Sequence, residues 1–260
     1  VPTASESSPV TPLFNKADEQ AGDHSERHVF ELRNSPGMQR AAGRRGSGTG
    51  ISYHGGPVLQ AGTKVVAIYW ASAPIYAGGP ATGTGLGAQD GSLIGHFLRN
   101  LGGSPYFNIN STYTNGAGAK IINIVTYTGY WANATSAPSG TTSISDAQMV
   151  AMLQSGFTGG QLTYDPNTLY LIFTSGKVNL GGGFGTQYCG YHTHGTVNGN
   201  QTVLFSAMPY DNAYPAGCTN GTAAPNGDPG ADNEVSVLAH EIEETTTDEA
   251  VELDEGGEEE

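Results

Sequence analysis

The chain of 260 residues carries 24 acidic side chains against 10 lysines and arginines, a net charge of −14. That length suits one sizeable core in one or two domains. It contains no apolar run of roughly 18 residues that would cross a membrane as a helix, and so few basic side chains make nucleic acid an unsuitable partner.

Residues 1–50 read as a disordered or pro-segment, with an ordinary ordered extension as the alternative. They hold six of the ten acids that lie outside the C-terminal end, and six of the ten basic residues. Gly43-Arg44-Arg45-Gly46 resembles a dibasic cleavage point. The chain begins at Val1 and shows no hydrophobic signal segment, which suggests a processed, secreted protein numbered from its mature end. Residues 46–227 carry only eight Asp, Glu, Lys or Arg side chains, so neutral polar residues must keep that surface soluble.

From Gly50 onward strands and helices alternate. Lys64–Ala71 is a β-branched and aromatic strand. The Gly83–Gly87 stretch lacks a phosphate-loop lysine and reads as a flexible loop. Asp90–Leu101 has apolar residues at helical spacing. Lys120–Thr128 is a second strand. Ile144–Phe157 is a helix with Ser145 as N-cap and Gln148 completing a capping box. Thr168–Thr174 is a third strand, continuous enough in apolarity to be buried on both faces. Gly176–Gly199 reads as a glycine-rich loop and Thr202–Pro209 as a fourth strand. A turn-rich stretch through Pro225–Gly230 then leads to a last helix starting at Asp232 as N-cap. This order indicates an α/β fold, one domain over 51–250 with a mixed, mostly buried sheet and flanking helices. An acidic tail over 251–260 follows, either a solvated end or a cation-attracting one.

Cys189 and Cys218 would close a loop of about 30 residues in an oxidising compartment, with two buried thiols as the alternative. Four sequons, at Asn110, Asn133, Asn200 and Asn220, favour a secreted glycoprotein.

The chemistry concentrates in Leu238-Ala239-His240-Glu241-Ile242-Glu243-Glu244. On a helix His240 and Glu244 share a face and can close on one metal ion. Glu241 would stand beside it as general base for a water molecule activated by the metal. This is the zincin HExxH arrangement with glutamate as the second ligand. The apolar stripe Val235, Leu238, Ala239 and Ile242 should pack on the sheet, leaving His240, Glu244 and Asp248 opposite. Asp248 and Glu259 are candidates for a third ligand, and His192 or His194 could line the site. A merely solvated acidic face is the plain alternative. No G-x-S-x-G elbow supports a serine hydrolase.

Several segments resemble one family. They are Tyr53–Leu59, Ile68-Tyr69-Trp70, Leu93–Leu101, Cys189-Gly190-Tyr191-His192 and Ala224–Asp232, in that order. Together they are similar to the phosphate-induced protein 1, or EXORDIUM-like, secreted proteins over roughly 52–250. Microbial and fungal members look closer, with an H-E-x-x-E-x-x-T-D-P segment; here Glu249 replaces that proline, and Glu252 stands where the following tryptophan would be. Asp254, Gly257 and Glu259 fit the rest of that tail. The resemblance implies an extracellular, cell-wall-associated protein, with growth control linked to plant members. The combined expectation is a secreted zinc-dependent metallopeptidase acting on protein or peptide. The alternatives are a non-enzymatic wall or signalling protein that contacts polysaccharide and keeps a structural or relict metal site, or calcium bound by the acidic end.

Overall fold

Seven strands form one mixed sheet: β1 His28–Glu31, β2 Thr63–Trp70, β3 Gly85–Gly87, β4 Val125–Asn133, β5 Thr168–Thr174, β6 Tyr188–Val197 and β7 Gln201–Pro209. The computed structural model describes residues 28–31, as backbone only, and 58–247 without 84, 89, 116 and 220–223. The spatial order is β1-β6-β7-β5-β2-β4-β3. The central strands β7, β5, β2 and β4 run parallel, while β6 and β1 at one side and β3 at the other pair antiparallel. Among the described residues three α-helices flank the sheet: α1 Leu93–Leu101, α2 Asp146–Thr158 and α3 Pro229–Thr247.

Each face of the sheet has its own core. On one, Val65, Ala67, Tyr69, Leu169, Leu171 and Phe173 pack against Ile94 and Leu98 of α1 and Val237, Leu238 and Ile242 of α3. On the other, Ile68, Trp70, Tyr170, Ile172 and Phe205 meet Met149, Met152 and Leu153 of α2. β5 lies at the centre and is buried at all seven positions, as its unbroken apolar run requires. α2 begins with the expected capping box: Ser145 Oγ accepts from Gln148 N–H, and Gln148 Oε1 accepts from Ser145 N–H. No described helix is long and apolar enough to cross a membrane.

The structure departs from the sequence reading at several points. β4 begins at Val125, not Lys120, and runs past the expected end at Thr128. Gly129 allows this. It adopts φ 138°, the strand pairing shifts there, and a Cβ would lie 2.7 Å from the Gly87 carbonyl oxygen. Part of the supposed loop at 83–87 is the edge strand β3, paired with β4. The glycine-rich 176–199 region contains all of β6. Asn198 and Gly199, at φ 51° and 93°, turn β6 into β7. The leading segment contributes β1, which pairs with β6.

Cys189 and Cys218 form a disulfide with Cα atoms 5.5 Å apart, tying β6 to the loop that precedes α3. Two sequons need correcting. Asn110 and Asn133 are buried, the latter with its side-chain oxygen accepting from Thr135 N–H, so neither has room for a glycan in this fold. Asn200 stands exposed in the β6–β7 turn, and Asn220 lies outside the described residues.

Candidate metal centre

α3 starts at Pro229, three residues ahead of the expected Asp232. Proline suits a first helical turn because the missing N–H would have no intrahelical partner there. Asp228 caps the turn: its side chain accepts from Ala231 N–H and its carbonyl from Asp232 N–H. The helix also continues through Thr245-Thr246-Thr247 despite their β-branching. Each threonine hydroxyl donates to the carbonyl four residues back, at 2.6–3.0 Å. Thr246 also meets Thr63 Oγ1 at 2.7 Å, pinning the end of α3 to the start of β2.

The position of α3 against β6 depends on Gly190. A Cβ at that residue would lie 2.5 Å from Val237 Cγ1, so only glycine admits the helix this closely. Two residues along β6 the same face carries His192, and one turn along α3 from Val237 comes Glu241. The neighbouring Tyr191 points the other way, and its hydroxyl hydrogen-bonds Asp146 at the start of α2.

His192 Nδ1 and Glu241 Oε2 are 2.8 Å apart, with side chains 1% and 0% exposed. His240 Nε2 lies 3.0 Å from Glu244 Oε1 on the same helix, and those side chains are 32% and 40% exposed. Glu244 joins the two pairs, since its Oε2 is 3.9 Å from His192 Nδ1. One donor atom each from His192, Glu241 and Glu244 lie within 4.8 Å of one another. Burial works to lower the proton affinity of His240, but Glu244, then Glu241 and Glu243, outweigh it and leave the imidazole above its ordinary range.

The helix thus brings His240 and Glu244 together as their spacing requires, but Glu241 takes a different place. It does not stand on the solvent side with them; it faces the sheet and is fully buried against His192. The buried side of α3 is correspondingly less apolar than the expected stripe. Val237, Leu238, Ala239 and Ile242 share it with Glu234, Glu241 and Thr245, while Val235 is half-buried. A glutamate on the core face breaks the apolar pattern, and that break was the available signal for Glu241. The Cys189-Gly190-Tyr191-His192 motif marks His192 as site-lining, and the structure places it on β6, a strand that the glycine content disguises as a loop. His194 sits half-buried two positions further along β6. Asp248 and Glu259 lie outside the described residues.

Two turns before Glu241, Glu234 is buried beside Asp211, whose backbone N–H reaches Glu234 Oε2 at 3.4 Å. Burial pushes Asp211 up to about 8. Burial, then the charge of Asp211, raises Glu234 well above the carboxylate range. This acid pair is a second polar inclusion under the same helix.

One imidazole nitrogen and two carboxylate oxygens, gathered at the end of a buried pair with Glu244 open to solvent, fit three ligand positions of a divalent ion and leave one free. A buried imidazole among the donors suits zinc better than calcium, which takes oxygen ligands. The family model for the phosphate-induced protein 1 conserved region matches residues 102–252, a span that includes β6, α3 and all four of these side chains. No curated protein and no solved structure matches the chain.

Proposed function

The chain belongs to the phosphate-induced protein 1 family, and on that premise we propose that it is a secreted, zinc-dependent hydrolase acting on peptide bonds. The observation that carries this reading is the meeting of two imidazole–carboxylate pairs at Glu244. His192, Glu241 and Glu244 would hold the ion, and His240 would stand beside it. When bound, zinc supplies Lewis acidity that polarises a carbonyl oxygen and makes water a stronger acid. His240, partly exposed and held at Nε2 by Glu244, takes the proton from the attacking water at its other ring nitrogen, Nδ1. It then returns that proton to the amine nitrogen as the carbon–nitrogen bond breaks. In this assignment Glu241 binds instead of acting as base, because its carboxylate is buried against His192 and would be spent on the ion. The test is elemental analysis joined to single substitutions. Glu241→Gln should lower the metal content, and chelation should abolish cleavage of a general protein substrate.

A second reading has its own support. The 1% and 0% exposure of His192 and Glu241 is what a structural clamp between α3 and the sheet requires. In that reading the protein is a non-enzymatic extracellular wall or signalling protein that contacts polysaccharide. Metal bound without turnover of any peptide would favour it.

A further inference from the structure

β6, which carries His192, has one described neighbour on its outer side, the four-residue strand β1. The pairing is antiparallel, with Cα partners His28 and His192, Val29 and Tyr191, and Glu31 and Tyr188. It slips between Val29 and Glu31, so the regular part of the ladder is the stretch at His192 and Tyr191. On its inner side β6 pairs with β7 from Tyr191 to Val197 without a break. A strand as short as β1, held at an edge by so brief a ladder, is marginal by itself. β1 also lies alongside α3. Its backbone therefore follows the seam between the strand that carries His192 and the helix that carries Glu241 and Glu244. β7, β5, β2 and β4 separate β6 from β3, the other edge of the sheet. A peptide bond cleaved at the candidate centre has to lie along that seam, and the chain already lays an extended segment of its own there.

We propose that the outer edge of β6 is the peptide-binding site: an extended peptide adds to it as an antiparallel strand beside His192, and β1 occupies the same edge in the intact chain as a built-in competitor. The inference rests on the hydrolase reading for its role in turnover, but the exchange of one strand for another needs no metal. Main-chain hydrogen bonds to a strand edge supply the affinity, so the site selects an extended backbone with free N–H groups before it selects side chains. The tether gives β1 its advantage over a free peptide, by raising its effective concentration.

The test uses the full chain stripped of metal and a fluorescent peptide amide with the sequence of residues 27–32, Arg-His-Val-Phe-Glu-Leu. Anisotropy reads binding, and hydrogen exchange at Tyr191 and His192 reads the edge. His28→Pro and Val29→Pro are made in the protein. Neighbouring N–H groups point to opposite sides of a strand, so one of the two changes removes a ladder donor. That variant should bind the peptide about tenfold tighter than the native chain, as expected when a site filled about nine times in ten is freed. Exchange at β6 should quicken in it and slow again with peptide. A peptide with proline in place of both histidine and valine should not bind. In the native chain, where tethered β1 acts at an effective concentration on the order of millimolar, peptide at that level should shift the amide signals of Tyr188–His192. This arm decides the matter even if neither variant folds. Loaded with zinc, the freed variant should cleave a general protein substrate faster than the native chain by the same factor. Equal peptide affinity in the native chain and both folded variants, or no response of β6 to millimolar peptide, would overturn the proposal. If the peptide competes as expected and no zinc-loaded form cleaves, the edge site stands and the hydrolase reading falls.

Discussion

His192 on β6 and Glu241 on α3, 49 residues apart in sequence, meet at 2.8 Å with almost no exposure of either side chain. A carboxylate buried to this degree is costly unless paired. Removing one partner leaves the other uncompensated, so Glu241→Ala is expected to destabilise the protein by about 3–5 kcal/mol. Urea unfolding of metal-free protein measures this. The double replacement His192→Leu with Glu241→Leu should cost less than the sum of its two single changes, because the pair is lost together.

Glu244 and His240 are exposed enough that their pairing contributes little to folding, less than about 1 kcal/mol. Their effects should therefore appear in chemistry. Glu244→Gln removes a ligand and is expected to lower zinc affinity by more than the roughly 10–100-fold that loss of a ligand's outer partner costs, with an unchanged unfolding midpoint in the metal-free protein. His240→Ala should keep the metal and reduce turnover by about 10²–10⁴-fold, the range for loss of a proton-transfer group. Zinc titration and peptide cleavage, run in parallel, separate the two roles.

Gly190 sets how closely α3 approaches β6, since its absent side chain is filled by Val237. Gly190→Val should push the helix outward and cost about 1–3 kcal/mol by overpacking. It should also separate Glu241 from His192 and so weaken metal binding without touching any ligand. Gly190→Val combined with Val237→Ala should recover part of both losses. Thermal unfolding and metal content read the two effects.

Asp211 and Glu234 make stability depend on pH. Both are raised above their ordinary values of 3.8 and 4.5, Asp211 to about 8, chiefly by burial. The folded protein therefore keeps protons that the unfolded chain has already released in this range. Their contribution is complete below about pH 4 and falls as pH climbs toward 8, by up to about 1.4 kcal/mol per pH unit for each proton. Asp211→Asn should flatten this slope and raise the melting temperature at pH 8 relative to the native protein. A melting series from pH 5 to pH 8.5 checks it.

The parts of the fold that could be read from sequence were those where pattern and burial agree. β5 is apolar throughout and central, and α2 carries its capping box in plain view. β6 was hidden because Gly190 and Gly195 gave Tyr188–Val197 the look of a loop. Those glycines are packing sites: a Cβ on the first would strike Val237, and one on the second would come 2.4 Å from Val150. The turn at Asn198-Gly199 was the signal that could have revealed the hairpin. At the site, the i, i+4 spacing of His240 and Glu244 was legible because a single helix sets it. The partnership of His192 with Glu241 was not, because it depends on how tightly two distant elements pack.

Metal stoichiometry in the purified protein is the most direct test of the assignment of His192, Glu241 and Glu244 as one centre. The account predicts close to one zinc per chain in the native protein and in His240→Ala, falling toward zero in Glu241→Gln and His192→Ala even where circular dichroism shows an intact fold. Full zinc occupancy in folded Glu241→Gln and His192→Ala, or none in the native protein, would contradict it.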